Sequence, residues 1–445
     1  MTARIPQSGF TFTKLGLALL VPALFFEADA YSVSLPFGRV RLYHTLIILL
    51  FGALVWSLAT GKKKWRKTPL DWPLLVYVGL NWATIAVAPN SAIAFKIAGL
   101  ITLLALLYWT ITNNIVTRAD FMSHAKLLLW STMGIALFGL FQVFAVWFAS
   151  RFDINLWNGV VIHSDILPYG RPYGTFVEPD WFGTIIAAAF AGLLVLSFSK
   201  AFKRVQVELL LGSLVLLIAT ILSGVRGGWL AVAIAVPVAL IVNRLKLKLL
   251  DTQLILDVAV VIAIVLGIGL AFTPTIREAL VDRVATLGSS DTLDVEPRFL
   301  IMQDGWEIFT EHPWIGRGPG AYTTLGDIPF VSDHTAAIYG IENFQTNAVL
   351  TILIDTGLIG LAVVAFLFYR SVTSLWKALK TQKIEQAEQK NQAILFALGT
   401  AALALLLGYQ VSTGMWLGLT WYLGSLIIAG SLVTFSTAKT SVNKA

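Results

Sequence analysis

Long apolar runs, repeated along the whole chain, constrain this sequence more than any other feature. They fall near Phe10–Phe26, Leu42–Thr60, Leu70–Ala88, Ile93–Thr112, Lys126–Ala149, Trp181–Ser199, Val205–Leu222, Gly227–Asn243, Gln253–Thr273, Asn347–Tyr369, Asn391–Val411 and Met415–Phe435. Runs of roughly 17–25 apolar residues are long enough to cross a bilayer as helices. About twelve spans follow, which predicts an all-α polytopic membrane protein with residues 1–445 forming one integral-membrane domain. Composition agrees: hydrophobic residues make up 57% of the chain and charged ones 13%, where a soluble domain carries about twice that charge. Glu27, Asp29 and Tyr31 follow the first run without a small-residue cleavage site, so that run reads as a retained span.

The net charge of +7 is not a nucleic-acid signal, because the positive residues sit in short loops between spans. Lys62, Lys63, Lys64, Arg66 and Lys67 form one cluster, and Arg118 with Lys126 another. Lys200, Lys203 and Arg204, then Arg244, Lys246 and Lys248, then Arg370 through Lys390 continue the series. All fall on one side, which the positive-inside rule makes cytoplasmic, with both termini there. The chain has no cysteine, so neither a disulfide framework nor a thiolate metal site is open to it.

The opposite side carries Arg39, Arg41, Arg151, Arg171, Arg226, Arg277, Arg283, Arg298 and Arg317, with Lys96 as the exception to an all-arginine set. Lysine suffices as a topology signal. Arginine adds a planar fork of donors that fits phosphate oxygens and stays charged when desolvated, so the set points to anion binding. For any single arginine the alternative is a structural ion pair, with Asp282, Glu296 or Glu311 as partner. Arg39 and Arg41, before the second span, read as interfacial residues whose heads reach water.

One long polar stretch, residues 274–346, separates two apolar runs and reads as a loop over a membrane-embedded site. Phe299, Met302, Trp306 and Phe309 recur at helical spacing after Pro297, predicting a short amphipathic helix that His312-Pro313 and Gly316, Gly318 and Gly320 bring to an end. Arg298 starts that helix and Arg317 lies in the glycine-rich turn. Earlier, Gly170, Pro172 and Gly174 shape a tight turn around Arg171, and Glu178 and Asp180 open the next helix as dipole-suited acids. Ser223-Gly-Val-Arg-Gly-Gly-Trp229 joins two spans with almost no loop, which puts Arg226 at the membrane surface. An arginine there needs a wet cavity or an anionic partner. Asn347 begins a span in which Leu350, Leu353 and Leu358 pack, Asp355 is a buried structural acid, and Gly357 and Gly360 allow close helix contact. Tyr409, Gln410, Ser412 and Thr413 make a short turn on the same side.

Arg171-Pro-Tyr-Gly-Thr-Phe, Ser223-Gly-Val-Arg-Gly-Gly-Trp, Arg298 through Gly320, and Asn347 through Gly360 together resemble the O-antigen ligase and Wzy-type polymerase superfamily of bacterial envelope glycosyltransferases, over about 171–370. The resemblance implies a GT-C-like membrane fold in the bacterial inner membrane with its active face periplasmic. It implies transfer of glycan from an undecaprenyl-pyrophosphate carrier to a glycan or lipid acceptor, without metal, nucleotide sugar or other cofactor. Arg171, Arg226, Arg298 and Arg317 would hold the pyrophosphate, with Asn347 also in the substrate site. The sequence departs from the family at one point. Thr346 stands where many members carry a histidine thought to activate the acceptor hydroxyl, and threonine is no base near neutral pH. His334 and Glu342 are the nearest replacements in sequence. Two other functions stay open at this stage: a transporter of a small anion such as bicarbonate, and a non-catalytic envelope-assembly protein. A transporter places its site near the midplane on broken helices and internal repeats. No repeat is visible here.

Overall fold

A computed structural model describes residues 12–28, 31–35, 38–150, 170–251, 254–255, 278, 281, 296–327, 343–380, 386–412 and 414–442. Helix α1 (Phe12–Ala23) leads through an antiparallel hairpin, β1 (Ser32–Leu35) and β2 (Gly38–Arg41), into α2 (Leu42–Ala59). Then follow α3 (Asp71–Ala83), α4 (Ser91–Asn114), α5 (Arg118–Ser150), α6 (Pro179–Ser197), α7 (Gln206–Leu222) and α8 (Arg226–Val242). After them come α9 (Glu296–Glu311), α10 (Ala348–Leu379), α11 (Gln386–Gly408) and α12 (Gly418–Val442). Among the described residues 9 helices are long and apolar enough to cross a membrane. The 12-residue α1 is shorter, as is α3, which a 3₁₀ turn at Thr84–Val87 prolongs. Each expected span thus has its helix except Gln253–Thr273, of which only 254–255 are among the described residues. The hairpin was not expected from the sequence.

Successive spans alternate in direction, so the lysine-rich connections gather at one end. There the Arg66 side chain donates to the Ile115 carbonyl (2.8 Å) and its N–H to Asn113 Oδ1 (2.7 Å), which gives polar groups at the buried C-terminal end of α4 their partners. Lys63 Nζ reaches Asn114 Oδ1 at 2.5 Å. Lys200 N–H donates to the Leu249 carbonyl (3.2 Å), and Gln392 Nε2 to the Ala378 carbonyl (3.1 Å). The arginine-rich turns lie at the other end.

Helix α6 runs through the centre, enclosed by α7, α8 and α11, with Phe182, Ile186, Ala187, Ala191 and Val195 buried along it. Between membrane helices lipid tails compete with side chains, so close backbone approach and van der Waals packing decide affinity. The small residues of α6 supply that approach. A Cβ at Gly192 would stand 2.8 Å from the Ala397 carbonyl oxygen of α11, and one at Gly183 2.3 Å from Val225 Cγ2. The most enclosed span among the described residues therefore begins, at its N-terminal turn, with Asp180.

Candidate functional site

Asp180 is the pivot of the arginine-rich end. Its Oδ1 accepts from Arg171 Nη2, and its Oδ2 accepts from Arg298 Nη2 at 2.5 Å. The three side chains are 18%, 21% and 25% exposed for Arg171, Asp180 and Arg298. The sequence suggested a helix-capping role for this acid and for Glu178. Glu178 does hold the N-cap position of α6, yet its side chain makes no capping hydrogen bond, and Pro179 follows at the first turn, where no N–H is required.

The turn that presents Arg171 is braced from two sides. Gly170 and Gly174 take φ +68° and +60°, the left-handed region the sequence expects glycine to supply there. Gln142, buried in α5, receives the Gly174 N–H on Oε1 (2.8 Å) and donates Nε2 to the Gly174 carbonyl (3.3 Å). On the other side, Thr175 Oγ1 donates to the Phe25 carbonyl (2.6 Å), and the N–H groups of Glu27 and Ala28 donate to the Thr175 carbonyl. Arg41 then ties the hairpin down: its Nε lies 2.9 Å from the Glu27 carbonyl oxygen and 2.9 Å from Glu27 Oε2. Arg41 is 9% exposed, so the expectation that its head reaches into water is overturned. A buried carboxylate, Glu27, was available to hold it. Burial pushes the Glu27 carboxyl above its ordinary value, and the Arg41 charge offsets part of that rise.

Arg298 faces α6 because α9 packs with only part of its expected apolar stripe, Met302 and Phe309 facing inward as expected. Ile301, Ile308 and Phe309 are buried, and a Cβ at Gly305 would stand 3.0 Å from Leu350 of α10. Phe299 is 66% and Trp306 55% exposed, which corrects their assignment to the packed face. Arg298 lies one turn before Ile301 on the buried face, and its Nη1 donates to the Val411 carbonyl (2.9 Å) in the turn between α11 and α12. That same turn meets α8: a Cβ at Gly227 would stand 2.5 Å from Val411 Cγ2. Val225, the N-cap of α8, packs on Gly183, one turn beyond Asp180. Arg226 therefore opens α8 at the same end of the bundle as the Arg171–Asp180–Arg298 cluster.

Asn347 completes the ring but is engaged structurally. Its Oδ1 caps α10 by accepting the Leu350 N–H (2.9 Å), and its Nδ2 donates to the Gln410 carbonyl (3.1 Å). Thr346 beside it is 2% exposed. Four helices, α6, α8, α9 and α10, thus have their N-terminal ends around Asp180 and Val411. Unsatisfied N–H groups and aligned peptide dipoles make such ends favourable for anions.

Arg317 lies apart from this cluster and pairs with exposed Glu311. The glycine-rich turn that carries it fills a break in α10. Gly357 takes φ +64°, ψ −164°, and the helix is interrupted there. The Ile354 and Asp355 carbonyls accept from the N–H groups of Arg317 (2.7 Å) and Gly318 (2.9 Å). Leu358 and Ile359 donate to the carbonyls of Pro313 (2.8 Å) and Trp314 (3.2 Å). Gly357 is therefore a breakpoint lying against the backbone of Trp314 and Ile315, rather than a site of contact between whole helices. Asp355 keeps the structural role expected of it: Oδ1 accepts the Gly320 N–H at 2.9 Å. Leu350 and Leu353 pack as expected, while Leu358, on the far side of the break, is 39% exposed.

His334 and Glu342, the expected bases, lie outside the described residues, as do Arg151, Arg277, Arg283 and Thr413. Three contributors were not singled out from sequence in these roles: Asp180 as the bridge, Gln142 as the brace of the Arg171 turn, and the Val411 carbonyl as a ligand of Arg298. The one readable signal was an aspartate directly after Glu178-Pro179 at the mouth of a span.

Compared with curated proteins, the chain matches none. Residues 211–365, which take in Arg226, Arg298, Arg317 and Asn347, match the family model described as O-antigen ligase. Over residues 211–365 this polytopic, predominantly helical membrane protein is thus similar to the O-antigen ligase family, and three of the four motifs that suggested the likeness fall within that match.

Proposed function

We propose that the protein transfers or polymerises glycan from an undecaprenyl-pyrophosphate-linked donor at the periplasmic face of the bacterial inner membrane, with both termini cytoplasmic. One observation carries this reading: Arg171 and Arg298 converge on Asp180 where four helices begin, with Arg226 opening one of them. The chemistry follows from what such a site stabilises. An acceptor hydroxyl oxygen attacks the anomeric carbon of the donor sugar, and the bond from that carbon to the diphosphate oxygen breaks. The electron pair leaves with the carrier diphosphate, and the hydroxyl proton passes to a base. Fixed guanidiniums and helix ends lower the barrier by meeting the charge that grows on the leaving group. We assign the base to the stretch holding His334 and Glu342, which runs directly into Asn343 and the start of α10. Arg317, paired with Glu311 at the break in α10, is a secondary donor contact at most in this scheme.

The transporter alternative is disfavoured by the same geometry. Broken helices serve transporters by lining a cavity, whereas the backbone groups freed at the break in α10 are taken by residues 313–318. The test is genetic and biochemical together. Arg226→Ala and Arg298→Ala abolish long-chain surface polysaccharide on gels while the protein still reaches the membrane. Normal glycan in both variants would overturn the assignment. Uptake of bicarbonate into proteoliposomes that depends on Arg226 would replace it with transport.

A further inference from the structure

The reading above gives Arg171 and Arg298 to the donor but leaves Asp180 without a role, and its placement supplies one. We infer that Asp180 is a positioning residue that presets the two guanidiniums for a diphosphate and stays with them while the diphosphate is bound; the inference rests on the diphosphate reading. Two arginines brought to one place repel each other, and each long side chain loses rotamer freedom on being fixed. A single carboxylate solves both problems when each oxygen takes one fork, and that is the arrangement here: Oδ1 to Arg171, Oδ2 to Arg298. The two guanidiniums are thereby held as neighbours on one carboxylate, where each can meet one of two linked phosphates.

The frame around the carboxylate is built for this. Asp180 sits in the first turn of the most enclosed span among the described residues. The turn that carries Arg171 is braced by Gln142 at Gly174 and by Thr175, and Arg298 itself is held by the Val411 carbonyl. A competing role predicts the opposite behaviour. If Asp180 were only a stand-in anion that the diphosphate displaces, removing its charge would free both arginines and strengthen anion binding. The two roles therefore differ in the sign of one measurement.

The measurement is titration of inorganic pyrophosphate into the purified full-length protein in nanodiscs, for wild type, Asp180→Asn and Asp180→Glu, with a thermal melt on each. Asn keeps the shape but presents an amide donor to one of the guanidiniums. Glu keeps the charge but moves it by one methylene. For a positioning role both variants bind pyrophosphate about tenfold more weakly or worse, Asn doing so despite one more net positive charge. A purely structural role would lower the melting temperature and leave the affinity of the folded fraction unchanged, which overturns the inference. So does binding by Asp180→Asn that equals or exceeds wild type. Should Asp180→Asn yield no folded protein, Asp180→Glu decides alone, and wild-type affinity there overturns the inference. Wild-type protein that does not bind pyrophosphate refutes the diphosphate reading itself, a result distinct from wild-type binding undiminished in the variants.

Discussion

Gly357→Ala tests whether the glycine-rich turn is held by the break in α10. Gly357 occupies φ +64°, ψ −164°, a region open to glycine and strained for other residues by about 1–3 kcal/mol. An alanine Cβ would also stand 2.4 Å from the carbonyl carbon of Trp314, closer than any real contact. The chain has two ways to respond. It can keep the break, bearing the strain and the clash, or it can heal the helix. Healing returns Leu358 and Ile359 N–H to the carbonyls of Ile354 and Asp355, so α10 loses nothing. The turn, however, forfeits its four backbone–backbone bonds to α10: those of the Arg317 and Gly318 N–H groups and those of the Pro313 and Trp314 carbonyls. At about 1 kcal/mol each, four lost bonds come to about 4 kcal/mol. The cheaper response sets the cost, so docking of the turn weakens by about 2–4 kcal/mol. Hydrogen exchange followed by mass spectrometry on peptides covering 313–320 reads this directly. Protection of the Arg317 and Gly318 amides falls by about thirty- to several-hundredfold. Unchanged protection in a folded Gly357→Ala protein would refute the argument that this turn is held by the helix break.

Three further outcomes follow from the packing around the site. Gly183→Ala drives a methyl into Val225 and Ser223, an overpacking worth about 1–3 kcal/mol; the thermal melt falls, and Gly183→Ala with Val225→Ala recovers most of the loss, whereas simple additivity would refute direct contact. Gln142→Leu leaves the buried Gly174 N–H without its acceptor, costing about 1–3 kcal/mol, and it weakens pyrophosphate binding through Arg171; an unchanged melt and affinity would remove Gln142 from the brace. Arg41→Met strands Glu27 at about 3–5 kcal/mol near neutral pH. Because burial holds Glu27 above its ordinary value of 4.5, the folded chain binds that proton more tightly than the unfolded chain does. Its contribution is full below pH 4.5 and lost as pH rises through the higher folded value. Losing the arginine raises the folded value further, so the destabilisation of Arg41→Met shrinks as the melt is repeated at lower pH; a pH-independent loss would show that Glu27 is not the cause.

The spans were legible because hydrophobic length is a local property, and the ends of α2, α7 and α8 fall within a residue or two of the apolar runs. Glycine positions were legible as turns where the φ requirement is local, as at Gly170 and Gly174. What the sequence withheld depends on partners far along the chain. Arg41 reads as an interfacial arginine until Glu27 and Thr175 are seen folded over it. Phe299 and Trp306 fit a helical stripe as well as Ile301 and Ile308 do, and only the position of α10 selects the second stripe. Gly357 carries no sign that its carbonyl neighbours are to be satisfied by residues some forty positions earlier. Asp180 is the sharpest case: an acid in a first helical turn suits the helix dipole anywhere, and nothing local says that two arginines from separate turns close on it.

Charge at the site bears on the proposed chemistry. In the proposed scheme Arg171, Arg226 and Arg298 less Asp180 amount to two positive charges before the neighbouring Glu178 is counted, against the two negative charges of a diphosphate esterified at both ends. On that reading these side chains offset most of the donor's charge. When the sugar leaves, the diphosphate keeps one ester and gains a third negative charge, which the guanidiniums do not match. The N-terminal ends of α6, α8, α9 and α10 are placed to take it, each supplying up to about half a unit of positive charge at fixed orientation. Interactions that grow with the leaving-group charge act on the transition state more than on the bound donor, which is the condition for raising turnover rather than only affinity. In the same scheme the spent carrier diphosphate is held more tightly than the donor, so the groups that favour bond breaking also slow its release, and removing an arginine costs more in bond breaking than it gains in release.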